Sequence, residues 1–198
     1  MPQEIEAKFL HADHDEVRAK LKAAGATLEK PMRLMRRTLF DHPDNRFQSD
    51  HNQQLRVRDE GDKITLTYKK SGTNSNYAHE LETTVGSFDE LVKIMEAIGL
   101  HAYCYQETKR EAWHMDDVEV VLDEWPHIDT FIEIEGPSEQ AIQAAAAKLG
   151  FNWGQAVFGH ADAVYRTQYP GMQGNDSIGY IPELRFDAPL PDYLKSRR

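Results

Sequence analysis

The sequence predicts an α+β protein whose centre is an eight-stranded antiparallel β-barrel, a tunnel with a charged interior covered outside by helices. Charged and apolar residues alternate along about eight strand-like segments, which places the charges of each on one face. Three amphipathic stretches each stop at a glycine, the mark of helices laid on a sheet. Their apolar stripes match the apolar strand faces, so the helices belong on the side that the charges do not use.

The strand-like segments are 3–9, 33–41, 53–59, 63–70, 77–85, 104–114, 117–124 and 130–135. In the first, Glu4, Glu6 and Lys8 alternate with Ile5, Ala7 and Phe9. Arg56 and Arg58 oppose Leu55 and Val57, and Thr65, Thr67 and Lys69 oppose Ile64, Leu66 and Tyr68. Glu119, Val121 and Asp123 stand against Val118, Val120 and Leu122, and Glu133 and Glu135 against Ile132 and Ile134. Asp59-Glu60-Gly61-Asp62 and Met115-Asp116-Asp117 are turn signals between alternating runs, so antiparallel hairpins dominate the expectation. The first helix spans roughly residues 14–24, with Val17, Leu21 and Ala24 on one face before Gly25. The second opens with Ser87 and Glu90 in a capping box and carries Phe88, Leu91, Val92, Met95 and Ile98 to Gly99. The third follows Pro137 and Ser138 and aligns Ile142, Ala145, Ala146 and Leu149 before Gly150.

Residues 1–169 read as one domain of this kind. From 170 to 198 the texture changes to an irregular extension punctuated by Pro170, Gly171, Gly174, Gly179, Pro182, Pro189 and Pro191, expected to be a loosely docked tail. The chain has 23 Lys and Arg against 33 Asp and Glu, a net charge of -10 that argues against nucleic acid or anionic membrane as a partner. A single cysteine, Cys104, excludes an internal disulfide framework and reads as a packed strand residue. With no apolar run of spanning length and no secretory pattern at the start, a cytoplasmic location is expected.

Arginine forks grip phosphate oxygens in pairs, and clustered carboxylates attract hard divalent cations. A metal polyphosphate satisfies both charge sets at once. Alternation alone is equally compatible with an open sheet whose charged face meets water. The two signs of charge, arginines at both 56 and 58, and paired carboxylates from separated segments favour a ligand site.

Glu4-Ile5-Glu6-Ala7-Lys8 resembles the ExExK signature of the CYTH superfamily, the triphosphate tunnel metalloenzymes, which include class IV adenylyl cyclases and thiamine and inorganic triphosphatases. It is followed in order by Leu55-Arg56-Val57-Arg58, Leu66-Thr67-Tyr68-Lys69, Glu80-Leu81-Glu82, Thr108-Lys109-Arg110, Leu122-Asp123 and Phe131-Ile132-Glu133-Ile134-Glu135-Gly136, so the likeness covers about residues 3–165. The resemblance implies that Lys8, Arg56, Arg58, Lys69 and Arg110 hold a triphosphate. It implies that Glu4, Glu6, Asp123, Glu133 and Glu135 coordinate one or two Mg2+ or Mn2+ ions. Lys8 and Glu82 are the candidates for proton transfer, and Glu80 shares the inner face with Glu82. Thr108 departs from the family, which often has a basic residue there. Arg36 or Arg37 is a substitute, and alternation does not choose between them.

The implied reaction is metal-dependent hydrolysis of a triphosphate, inorganic or organic. The alternatives are a class IV type cyclase that makes cyclic AMP and pyrophosphate from ATP, and a noncatalytic sensor of polyphosphate or nucleotide. The implied partner is a triphosphate-containing small molecule, and a homodimer is compatible with the pattern. Trp113, Trp125 and Trp153 are expected in packing rather than against a base. His11-Ala12-Asp13-His14-Asp15 reads as a polar helix cap, His42 and His51 as part of a solvated loop, and Gly154–Gly159 as no phosphate loop.

Overall fold

The computed structural model describes residues 5–50, 53–71 and 78–198, without the side chains of residues 50, 71 and 78–80. Glu4, His51 and the side chain of Glu80 therefore lie outside the described residues. One sheet contains β1 (Ile5–Leu10), β2 (Thr27–Asp41), β3 (Gln53–Asp59), β4 (Ile64–Ser71), β5 (Ala78–Val85), β6 (His101–Met115), β7 (Val118–Glu124), β8 (Phe131–Gly136) and the short β9 (Glu183–Leu184). The strand order is β1-β8-β7-β6-β2-β3-β4-β5, and β9 lies parallel beside Tyr105 and Gln106 of β6. Each of the eight expected strands has its counterpart, and the hairpin ladders are antiparallel.

The expected closure into a barrel is not found: among the described residues no ladder joins β1 to β5, and the sheet is open. At β1 the structure supplies a physical reason. The Lys8 amide donates to the Val157 carbonyl at 2.9 Å, and the Lys8 carbonyl accepts from the Val157 amide at 2.9 Å. That stretch of the outer edge already has its hydrogen bonds.

The chain divides into two compact units, and β2 and β6 contribute residues to both. The first comprises Met1–Arg33, Thr108–Ile178 and Pro189–Arg198. Its core joins Ala7 and Phe9, Trp113 and Met115, Val118, Val120 and Leu122, and Ile132 and Ile134 to two helices, α1 (His14–Ala23) and, after the short α2 (Arg46–Asp50) and α3 (Phe88–Ala97) of the second unit, α4 (Glu139–Lys148). Val17 and Leu21 of α1 and Ile142, Ala145 and Ala146 of α4 supply the helical side. Burying a side chain such as Ile132 or Ile134 stabilises the fold by about 1.5–3 kcal/mol. Asp13 caps α1 by accepting from the amides of Asp15 and Glu16, which fulfils the cap reading of residues 11–15. The helix-ending glycines Gly25 and Gly150 take φ of 77° and 80°, where a side chain would be strained.

Gly136 is fixed by contact instead: a Cβ there would meet Val118 Cγ1 at 2.7 Å and Ile142 Cγ1 at 3.5 Å. Gly136→Ala is expected to cost about 1–3 kcal/mol in urea unfolding, the usual penalty of overpacking. Beneath α1, Glu111 accepts from Arg18 Nε at 3.0 Å and from Trp113 Nε1 at 2.7 Å. Burial pushes the Glu111 carboxyl up, but the bonds from Arg18 and Trp113 outweigh it and hold the group below its ordinary value. The stability this gives is present above the unfolded carboxylate range and is lost as pH falls through the lower folded value. Acid unfolding of the wild type should therefore steepen below about pH 4.3, and Glu111→Gln should flatten that limb in a pH series of thermal melts.

The last part of this unit is knitted together rather than loosely docked. In α5 (Ala161–Gln168), Tyr165 is fully buried and donates to the Pro126 carbonyl at 2.6 Å. Asp162 accepts from Ser177 Oγ at 3.0 Å and the Ile178 amide at 2.8 Å. Asp176 accepts from Tyr193 Oη and Arg197 Nη2, both at 2.7 Å, and Leu194 of α6 (Asp192–Lys195) is fully buried.

The second unit comprises Leu34–Glu107 and Gly179–Ala188. Phe40, Val57, Leu55, Ile64 and Leu66 form one apolar sheet face, covered by Phe88, Leu91, Val92 and Met95 of α3. Ser87 caps that helix by accepting from the Glu90 amide. Buried Asp41 accepts from the amides of His42, Phe47 and Gln48 and so shapes the loop after β2. Ile181 and Leu184 are buried in this unit, as is Cys104, in keeping with its expected packing role. Among the described residues no helix is long and apolar enough to cross a membrane.

Candidate functional site

Within each unit the face of the sheet opposite the helices carries the sequence-predicted residues that are described. In the first unit, Lys8 stands opposite Glu133 and Glu6 opposite Glu135 in the β1–β8 ladder. Because the amide and carbonyl of Lys8 both turn to Val157, Lys8 and Glu133 form a pair without mutual backbone bonds, the kind whose side chains approach most closely. Lys8 Nζ accordingly donates to Glu6 Oε1 at 2.8 Å and lies 3.4 Å from Glu133 Oε2, with Lys8 only 3 % exposed.

One oxygen from each of Glu6, Glu133 and Glu135 lies within 4.8 Å of the other two. Such crowding of like charges has a titration consequence. Burial first, and then the charge of Glu133, raises the Glu6 carboxyl above its ordinary value. Burial acts on Glu133 in the same sense, but Arg110 and Lys8 outweigh it and keep that group low. Oxygen donors that crowd closely enough to favour a proton on one of them suit a hard divalent cation, so these residues fit the implied metal.

Arg110 grips Asp123 with both arms of its fork, Nε to Oδ1 at 2.8 Å and Nη2 to Oδ2 at 2.6 Å, and Nη2 lies 3.7 Å from Glu133 Oε2. Burial opposes the Arg110 charge, yet Asp123 and Glu133 outweigh it and raise its pKa. Asp123 is thus on the predicted face, 1 % exposed, with its oxygens engaged by arginine rather than in the three-carboxylate group. Lys109 occupies the opposite strand face, where Nζ donates to Glu124 at 3.1 Å.

In the second unit the facing pairs run Leu39–Arg56–Thr67–Glu82 and Arg37–Arg58–Thr65–Thr84 across β2, β3, β4 and β5. Opposite residues of an antiparallel ladder share a face, so these two rows and Lys69, opposite Gln54, form one polar surface. Arg56 is buried and reaches Thr67 Oγ1 from Nη2 at 3.5 Å, while Thr67 donates to Glu82 Oε2 at 2.8 Å. Arg58 Nε lies 3.7 Å from Glu60 Oε1. Thr65 is fully buried, and its hydroxyl has no hydrogen-bond partner among the described residues.

Register also separates the two arginines that alternation left equivalent. Arg36 faces the helix side, where Nε bonds Asp59 at 3.2 Å, Nη1 lies 3.4 Å from Asp89 and the guanidinium sits 4.4 Å above the Phe88 ring. Arg37 shares the polar face with Arg56 and Arg58, and its Nε donates to Gln106 Oε1 at 2.7 Å. Gln106, 1 % exposed, was absent from the sequence reading because an uncharged residue gives no signal in a charge alternation. The tryptophans are used for packing: Trp113 and Trp125 are buried, and Trp153 lies 6.3 Å from Phe9 and 5.5 Å from Phe158 between ring centroids.

The polar face of the antiparallel strands thus carries a carboxylate group in the first unit and arginines in the second. The chain belongs to the CYTH domain family, whose model matches residues 2–153. That family is metal-dependent and binds triphosphates, and the Glu6, Glu133 and Glu135 group offers a place for the metal. A comparison with curated proteins finds no match. Among solved structures the chain is similar to PH1012 of Pyrococcus horikoshii OT3, with 20% identity, TM-score 0.61, and 78% of this chain and 94% of that one covered. It is similar to a protein of Vibrio parahaemolyticus assigned as an adenylate cyclase, with 14% identity, TM-score 0.69, and coverage of 83% and 98%. It is also similar to HpAC1 of Hippeastrum, assigned as an adenylyl cyclase and reported to have a dominant triphosphatase activity, with 14% identity, TM-score 0.55, and coverage of 84% and 96%. At these identities the likeness is one of fold.

Proposed function

We propose that this protein hydrolyses a triphosphate with the help of Mg2+ or Mn2+. The observation that carries the reading is the convergence of Glu6, Glu133 and Glu135 within 4.8 Å beside buried Lys8. These carboxylates would hold the cation, and Asp123 orients Arg110 next to them. Arg56, Arg58, Lys69, Lys8 and Arg110 bind phosphate oxygens, since phosphoryl transfer demands charge neutralisation and alignment more than covalent chemistry. A divalent ion bound by the carboxylates supplies further neutralisation and polarises a phosphoryl oxygen. Glu82, anchored by Thr67, and Lys8 are the groups assigned to proton transfer. The tryptophans are engaged in packing, which favours recognition of the triphosphate itself over stacking on a base.

The test is a panel of tripolyphosphate, ATP and thiamine triphosphate with Mg2+ or Mn2+, reading orthophosphate, pyrophosphate and cyclic AMP separately. Metal-dependent orthophosphate release supports the proposal. Cyclic AMP with an equal amount of pyrophosphate would replace it by the cyclase reading, and tight binding without turnover by the sensor reading.

A further inference from the structure

We infer that Arg37 is a third arginine of the phosphate-binding face and determines how tightly the chain holds a condensed phosphate of three or more groups. This rests on the triphosphate reading and decides between two arginines that the sequence left equivalent. The second strand offers two adjacent arginines, and the structure gives them different work. Arg36 is committed to Asp59, Asp89 and the Phe88 ring. Arg37 points to the opposite face and stands directly opposite Arg58, with Arg56 opposite Leu39 two residues further along the same strand pair.

Like charges placed directly across a ladder repel, and this sheet nevertheless sets Arg37 against Arg58. The 2.7 Å bond from Arg37 Nε goes to the side-chain carbonyl of Gln106, a neutral acceptor that orients the guanidinium. Gln106 is 1 % exposed, so this anchor is built into the packed part of the unit. The next position in that row is Thr65, whose buried hydroxyl has no hydrogen-bond partner among the described residues. Two arginines opposite each other on one sheet face, Arg58 also 3.7 Å from Glu60, with the Thr65 hydroxyl in the same row, form a surface for an anion with several oxygens, and arginine forks match phosphate geometry.

The experiment is calorimetric titration of the full chain, without metal, with tripolyphosphate, pyrophosphate and orthophosphate. Wild type, Arg37→Gln, Arg37→Lys, Arg36→Gln and Arg58→Gln are compared at two salt concentrations. Arg37→Gln should weaken tripolyphosphate binding about tenfold, the size of one charge-assisted contact, and lessen its salt dependence. Arg37→Lys should recover part of the affinity, and Arg36→Gln should lower the melting temperature while leaving affinity within about twofold. If wild type and Arg37→Gln bind tripolyphosphate equally while Arg58→Gln binds weakly, the role of Arg37 is overturned and the triphosphate reading stands. If wild type binds no condensed phosphate, both are overturned. Should Arg37→Gln fail to fold, Arg37→Lys decides: unchanged affinity and salt slope overturn the inference, and a loss of affinity in a folded protein supports it.

Discussion

Glu133→Ala is expected to lower metal-dependent triphosphate turnover by at least about a hundredfold and to weaken Mn2+ binding to the ligand-free protein by a similar factor. Disturbing even an outer partner of a metal site typically costs ten- to a hundredfold, and Glu133 is proposed as a direct ligand. It also lies close to two cations, 3.4 Å from Lys8 Nζ and 3.7 Å from Arg110 Nη2, so its loss disturbs them together. Mn2+ titration followed by electron paramagnetic resonance reads the metal directly. Undiminished Mn2+ affinity in a folded variant would remove Glu133 from the metal site whatever the activity.

Arg110→Ala should have the largest effect on stability, about 3–5 kcal/mol in urea unfolding, because it leaves the nearly inaccessible Asp123 carboxylate without its bidentate partner. Arg110→Lys should recover only part of this, since an ammonium does not reproduce the two parallel bonds. The double change Arg110→Met with Asp123→Leu should be less destabilising than Arg110→Ala alone, because it removes the charge that would be stranded. If Arg110→Ala unfolds within about 1 kcal/mol of wild type, water reaches Asp123 and the pair is not the buried unit described.

The strands and helices that fix this fold were legible because their burial is periodic. Val118, Val120 and Leu122 alternate with Glu119 and Asp123, and Ser87 and Ser138 announce α3 and α4 by the capping chemistry that the structure displays. The start of β2 was missed, as residues 27–32 contain Pro31 and no clean alternation, and Leu28 there is 44 % exposed. The eight-residue α5 and two-residue β9 were missed because they are too short for a period to emerge. The apolar residues of the C-terminal segment were visible, but the partners of Asp162 and Asp176 are contacts no periodicity encodes. Barrel closure likewise depends on which strand ends pair, and alternation contains no information on that. For the site, strand parity alone put Lys8, Arg56, Arg58, Glu133 and Glu135 on polar faces. Choosing Arg37 over Arg36 required the β2–β3 register, and finding Gln106 required the fold itself.

The bridge between Lys8 and Val157 has a consequence for the molecule among its neighbours. A bare strand edge is a template on which another chain can add a strand. At Lys8 the amide and carbonyl that would guide such an addition are already satisfied from within the chain. Residues near 157 thus give β1 a guard against mispairing in crowded solution, and the same two bonds hold in place the backbone from which Lys8 reaches Glu6.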